Sequence, residues 1–246
     1  MIRFIFIVLF LTVYFTVGIV SSILLFIIGL FSRKARDLVS FYIVKGAFRI
    51  VLFISGTKVK VSGLENIPDD EAVLFVANHR SFFDIVVGYS YLPRKFGFIA
   101  KKEIKKYLPL SVWMYFVNCI FLDRSSIEAA IKMINDGVNK LKSGVSVFIF
   151  PEGTRNKTDD EMKEFKEGSF KMAKKAKCKI VPVAFNNTSA AFEDQFPKIR
   201  RAVVSMEVGQ PIDIESLDKE DKKTLAKYSQ KIVSEMVAKN KEIVKK

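Results

Sequence analysis

The chain has 246 residues, half of them hydrophobic and 23 of them Phe, with 40 Lys and Arg against 26 Asp and Glu. This length suits one main α/β domain with an appendage and is short for two independent enzymes. A single histidine, and two cysteines (Cys119 and Cys178) without CxxC spacing, speak against a zinc hydrolase, any metal site or a disulfide framework. The net charge of +14 leaves nucleic acid or anionic lipid as the partner to be decided.

The N-terminal segment decides for lipid and against nucleic acid. From Phe4 to Phe31 no residue is charged, a run longer than the roughly 20 residues that a bilayer-spanning helix needs. A secretory signal has an apolar region of only about 7–15 residues before a small-residue cleavage site. Here the run ends in Ser32-Arg33-Lys34-Ala35-Arg36, a basic knot expected on the cytoplasmic side of the membrane. Two arrangements stay open: a spanning helix with its N-terminus outside, or a tilted helix buried in the inner leaflet. Residues 38–55 favour the second, because Lys45 and Arg49 interrupt an apolar stretch four residues apart and share one helical face. Such a helix is expected to lie in the interface with its cations toward the headgroups. Residues 1–56 therefore form a two-helix membrane-binding motif on the cytoplasmic face of the cell membrane. Residues 57–246 form an α/β domain ending in a basic helix, which is either a solvated face or a second contact with anionic lipid.

Beyond Gly56, short apolar runs read as strands at 58–61, 72–77, 96–100, 119–122, 145–150, 180–185 and 202–208. Helical patterns alternate with them, clearest at 126–141, where Ile127, Ile131, Ile134, Val138 and Leu141 recur at three- and four-residue steps. This alternation predicts a mostly parallel, mixed sheet flanked by helices. Ligands in such folds bind beyond the carboxyl ends of the strands, so the residues following each strand carry the chemistry.

The second strand is followed by Asn78-His79-Arg80-Ser81-Phe82-Phe83-Asp84. Asp84 can reach back across a helix start to hold His79 in one tautomer, which leaves the other ring nitrogen to take a proton near neutral pH. Ser81, on the same turn, suits a helix cap. No enzyme nucleophile is evident, since Gly88-Tyr89-Ser90-Tyr91-Leu92 breaks the nucleophile-elbow pattern at its last position. The activated hydroxyl is then the substrate's.

Lys101, Arg124 and Arg155 end three other strands, and guanidinium pairs beside a free backbone turn suit a phosphate. Gly153 permits close backbone approach, and Thr154 can donate from its hydroxyl and its N–H. Glu152, set among cations, has three readings: fixing the arginine fork, binding a second substrate hydroxyl, or belonging to an ordinary turn with surface ion pairs. No P-loop pattern is present. A membrane anchor, a phosphate cradle and a base for a hydroxyl together describe an enzyme acting on a phosphorylated lipid with a free alcohol.

These residues resemble the signature blocks of the 1-acylglycerol-3-phosphate (lysophosphatidic acid) acyltransferases. The blocks are His79-Arg80-Ser81-Phe82-Phe83-Asp84 after Asn78, a second block over 101–124 ending in Phe121-Leu122-Asp123-Arg124, then Phe150-Pro151-Glu152-Gly153-Thr154-Arg155, and Val181-Pro182-Val183. The resemblance covers roughly residues 57–210 and implies transfer of an acyl group from acyl-CoA or acyl-carrier protein to lysophosphatidic acid, giving phosphatidic acid, with no cofactor. It implies His79 as base and Asp84 as its partner, Glu152, Gly153, Thr154 and Arg155 holding the acceptor, and Lys101 and Arg124 on its phosphate. The second block departs from the family's glycines at Val112 and Asn118, which predicts a loop of different shape. Other acceptors, such as glycerol-3-phosphate or a lysophospholipid, and a non-enzymatic anionic-lipid-binding protein are the alternative readings.

Overall fold

The computed structural model describes residues 1–123, 125–158 and 162–244. Two long helices come first: α1 (Ile2–Phe31) and α2 (Arg33–Ser55). Ser32 breaks them apart with extended backbone, and its side chain accepts a hydrogen bond from the Ala35 N–H as the N-cap of α2. The helices run antiparallel, since Arg3 near the start of α1 donates to the Ser55 carbonyl at the end of α2. Both are long and apolar enough to cross a membrane.

The remaining elements in chain order are β1 (Lys58–Ser62), β2 (Leu74–Ala77), α3 (Phe82–Tyr91), β3 (Phe96–Lys101), α4 (Leu108–Phe116), β4 (Ile120–Leu122), α5 (Ile127–Lys142), β5 (Ser146–Ile149), α6 (Lys171–Ala176), β6 (Ile180–Asn186), β7 (Val203–Val208), α7 (Lys219–Lys223) and α8 (Leu225–Val244). All seven expected strands are present, each within two residues of its expected bounds. They form one sheet in the order β1-β7-β6-β2-β5-β3-β4. The sheet is mixed: β2 to β6 are parallel, while β7 runs antiparallel to β6 and pairs in parallel with β1. Placing β7 beside β6 reverses the chain direction at that edge and keeps the carboxyl ends of the other five strands on one rim.

Strand side chains alternate between the two faces, and the core divides accordingly. Val73, Phe75 and Ala77 of the β2 region join Phe96, Phe98, Phe148 and Phe185 in one layer, under Phe41, Val44 and Leu52 of α2 and Val87 of α3. Leu74 and Val76 join Val147 and Ile149 in the other, under α5, α6 and α8 through Met133, Leu141, Met172, Leu225 and Val233. Ile7 and Leu25 of α1 belong to the first layer, so the N-terminal hairpin shares the core of the sheet.

The expectation for the α2 cations is corrected. Lys45 Nζ donates to the Leu92 carbonyl at 2.9 Å, and Arg49 Nε to the Ser90 carbonyl at 3.2 Å. Both therefore cap the C-terminus of α3, where orphan carbonyls and the helix dipole favour a cation, instead of pointing toward headgroups. Arg36 is likewise turned inward. It pairs with Asp37 at 2.7 Å and lies over the rings of Tyr115 and Phe116, leaving Arg33 and Lys34 as the exposed part of the basic knot.

Asn118 answers the question raised by its departure from glycine. It takes a φ of 65°, the left-handed conformation that glycine favours and Asn tolerates better than most residues. Its amide also donates to Asp37 at 3.0 Å and accepts from Lys140 at 2.8 Å. The turn before β4 is thus available to this chain without glycine, and the side chain ties it to α2 and α5.

Candidate active site

His79 leaves the carboxyl end of β2, the central strand, between β5 and β6. Asn78 fixes the exit by bridging to β6: its amide donates to the Phe185 carbonyl and its oxygen accepts the Phe185 N–H, both at 2.9 Å. The chain then enters α3 through a capping box, in which the Ser81 hydroxyl accepts the Phe83 N–H and Asp84 accepts the Ser81 N–H. Ser81 is therefore a cap, as expected.

Asp84 is completely buried, and donors surround its carboxylate. One oxygen accepts the N–H groups of Arg80 and Ser81 and faces His79 Nδ1 at 2.8 Å. The other accepts the Thr188 hydroxyl at 2.6 Å. A carboxylate so placed holds Nδ1 as the protonated nitrogen, leaving Nε2 as the basic one. The imidazole stacks on Phe150 at 3.9 Å between centroids, with 12° between the ring planes. Among the described residues Nε2 has no hydrogen-bond partner, and the side chain is 15 % exposed.

Glu152 lies beneath the histidine. It is buried, and its two oxygens accept the N–H groups of His79 at 2.7 Å and Lys163 at 3.3 Å. Neither bond comes from an arginine, so Glu152 does not fix an arginine fork: it braces the backbone that carries the imidazole. Burial pushes its carboxyl above the ordinary carboxylate range, while the two backbone donors pull it down. The Asn156 N–H adds a further brace by donating to the His79 carbonyl at 2.7 Å.

The turn after β5 carries Gly153 at a φ of 74°. A left-handed position next to Glu152 lets the chain fold back so that Glu152 points in while Thr154 faces out. Lys163 Nζ donates to the Thr154 hydroxyl at 3.3 Å and the Arg155 carbonyl at 3.1 Å. Arg155 lies over the Phe82 ring at 3.9 Å and pairs with Glu193 at 2.9 Å. His79, Asp84, Glu152, Gly153, Thr154 and Arg155 are thereby brought to the ends of two adjacent strands.

Lys101 sits apart from this cluster. It ends β3, which β5 separates from β2, so two strand spacings, about 10 Å, lie between the strand axes. It is exposed on the same rim. Arg124, expected beside it, lies outside the described residues. A separate cleft of about 640 Å³, lined by Lys102, Lys105, Tyr115, Phe121 and Lys140 among others, runs beside β4 and contains none of the His79 cluster.

Asn156, Lys163, Thr188 and Glu193 of the cluster were not singled out in the sequence. Thr188 follows β6, and applying the rule of strand-following residues to that strand would have found it. Glu193 lies in a 3-10 turn (Glu193–Gln195), and no local pattern marks it.

Known proteins give this geometry a family. Residues 58–186 match the family model described as Acyltransferase. The 1-acyl-sn-glycerol-3-phosphate acyltransferase of Saccharomyces cerevisiae is 31% identical over 92% of this chain and 72% of its own length. The protein of the same name from Borreliella burgdorferi is 30% identical over 84% and 80%. In fold, the chain resembles the crystal structure of the 1-acyl-sn-glycerophosphate (LPA) acyltransferase from Thermotoga maritima, with a TM-score of 0.79 at 23% identity over 98% of this chain and 96% of the other. A glycerolipid-acyltransferase signature at the mouth of this sheet, with relatives alike over most of their length, makes the chain a member of the acyltransferase family, among the 1-acyl-sn-glycerol-3-phosphate acyltransferases.

Proposed function

We propose that the chain transfers a fatty acyl group from a thioester donor, acyl-CoA or acyl-carrier protein, to the free hydroxyl of lysophosphatidic acid, giving phosphatidic acid at the cytoplasmic face of a membrane. The observation that carries this reading is the His79 imidazole, held at Nδ1 by buried Asp84 at 2.8 Å and partly exposed, with no partner for Nε2 among the described residues. In this reading the acceptor hydroxyl donates to Nε2, its oxygen adds to the thioester carbon, and its proton passes to His79. As the tetrahedral intermediate collapses the carbon–sulfur bond breaks, and the thiolate takes the proton from the imidazolium. Asp84 supports the transient cation at Nδ1 and remains ionised. Arg155, with Gly153 and Thr154 beside it and Lys101 further along the rim, receives the acceptor's phosphate, and Arg124 is assigned to the same phosphate on the sequence and the family resemblance alone. Glu152 works at one remove by keeping the His79 backbone in place. The exposed apolar faces of α1 and α2 support the membrane assignment.

The test is acyl transfer to lysophosphatidic acid in mixed micelles from labelled acyl-CoA and, in parallel, acyl-carrier protein. His79→Ala is expected to lower kcat by about 10²–10⁴-fold, the usual weight of a general base. Arg155→Ala is expected to weaken acceptor saturation. A wild-type protein that forms no phosphatidic acid from either donor removes the acceptor assignment, and an acceptor panel with glycerol-3-phosphate and lysophospholipids follows. Normal turnover by His79→Ala would make this histidine structural.

A further inference from the structure

We propose that Glu193 is a positioning residue for the acceptor site: its carboxylate clamps the Arg155 guanidinium in the orientation that receives the phosphate. The assignment rests on the acyl-transfer reading above. One carboxylate joins three parts of the fold. Its Oε1 accepts from Arg155 Nη1 at 2.9 Å and from the Phe82 N–H at 2.7 Å, and its Oε2 accepts the Ser81 hydroxyl at 2.5 Å. Glu193 thus ties the loop after β5 to the first turn of α3, the turn that also positions Asp84 and His79.

Arg155 is restrained from two directions. Its guanidinium carbon lies 3.9 Å from the Phe82 ring centroid, which covers one face, while Glu193 holds one terminal nitrogen. Among the described residues its other guanidinium N–H groups have no partner, so the rest of the fork is open to a phosphate. A planar fork binds phosphate well only in the correct orientation, and a long side chain that must be immobilised on binding costs affinity. A clamp that orders it beforehand lowers that cost. The carboxylate does reduce the local positive charge, and Lys163, whose Nζ lies against the Arg155 carbonyl and the Thr154 hydroxyl, offsets this. The clamp is itself backed by the N-terminal hairpin, since Phe192, the preceding residue, stacks on Phe4 of α1 at 6.0 Å with 16° between planes.

The experiment varies lysophosphatidic acid in mixed micelles at saturating donor for wild type, Glu193→Gln, Arg155→Ala and the double variant, with thermal unfolding recorded on each preparation. Glu193→Gln is expected to raise the acceptor KM roughly tenfold, the scale of one charge-assisted hydrogen bond, with the change in KM and not in kcat. In the Arg155→Ala background the same substitution is expected to add nothing, because its partner is gone. Should Glu193→Gln unfold, Glu193→Asp provides the same comparison with the charge kept and the reach shortened. An acceptor KM that falls would mean that the carboxylate occupies the phosphate's own place. That result, an unchanged KM, a loss confined to kcat, or full additivity with Arg155→Ala would each overturn the clamp while leaving the acyl-transfer reading standing. An Arg155→Ala enzyme that saturates normally would remove the phosphate assignment itself, and the clamp with it.

Discussion

At the scale of single residues, the chemistry depends on how completely Asp84 is satisfied. Four donors converge on a carboxylate that water does not reach, so losing one leaves a buried charge short of a partner. Thr188→Val keeps the shape and deletes one donor. It is expected to cost about 2 kcal/mol, typical of a hydrogen bond to a charged group, measured by chemical denaturation in detergent. Glu152 yields a prediction in pH. Its folded carboxyl titrates above the ordinary range because it is buried, so between the unfolded and folded values the folded state holds the extra proton. Stability from this residue is then greatest at low pH and declines as pH rises through that window. Glu152→Gln removes the slope. The thermal midpoint of wild type should fall relative to the variant as pH rises above the ordinary carboxylate value, and parallel curves would refute the assignment.

At the scale of elements, β3 illustrates how close approach selects glycine. A Cβ on Gly97 would lie 1.9 Å from the Asn118 carbonyl oxygen, on the turn that Asn118 makes in left-handed conformation. Gly97→Ala is expected to push β4 and α4 away from β3 and to destabilise by about 1–3 kcal/mol, the usual cost of overpacking. A thermal midpoint like that of wild type would contradict it. The strands themselves were legible in the sequence because a buried parallel sheet demands continuous apolar runs of limited length. The existence of α2 was legible too, but the role of Lys45 and Arg49 was not. Four-residue spacing puts two cations on one face, and only the position of α3 against that face makes them caps instead of headgroup contacts.

At the scale of the whole molecule, the N-terminal hairpin both carries the exposed apolar surface proposed to face a membrane and forms part of the core. Ile7 and Leu25 are buried in the layer that contains Phe75 and Phe148, and Tyr14 lies against Trp113 at 5.4 Å. Much of the rest of α1 is exposed and apolar, Phe6, Val13, Val20 and Phe26 among it. Deleting residues 1–31 is therefore expected to reduce flotation with anionic vesicles and also to lower the thermal midpoint of what remains. Reduced flotation at unchanged stability would mean that α1 is an anchor alone.

The sequence by itself determined the alternation of strands and helices, the apolar N-terminus, and the local pairing of His79 with Asp84. Each is set by spacing along a few residues: apolar periodicity, unbroken hydrophobic length, and a carboxylate five residues past a histidine across a helix cap. Glu152 to Arg155 were visible as a turn, but their division of labour was not, since it is the fold-back at Gly153 that sends Glu152 beneath His79 and Arg155 out over Phe82. The tertiary structure alone decided that Thr188 supports Asp84 and that Glu193 reaches Arg155. Both partners come from the chain beyond β6, more than a hundred residues after Asp84 in one case, and they meet the site because the sheet order sets β6 beside β2. Contacts of that kind follow from which strands are neighbours, a property of the folded sheet and not of any local stretch of sequence.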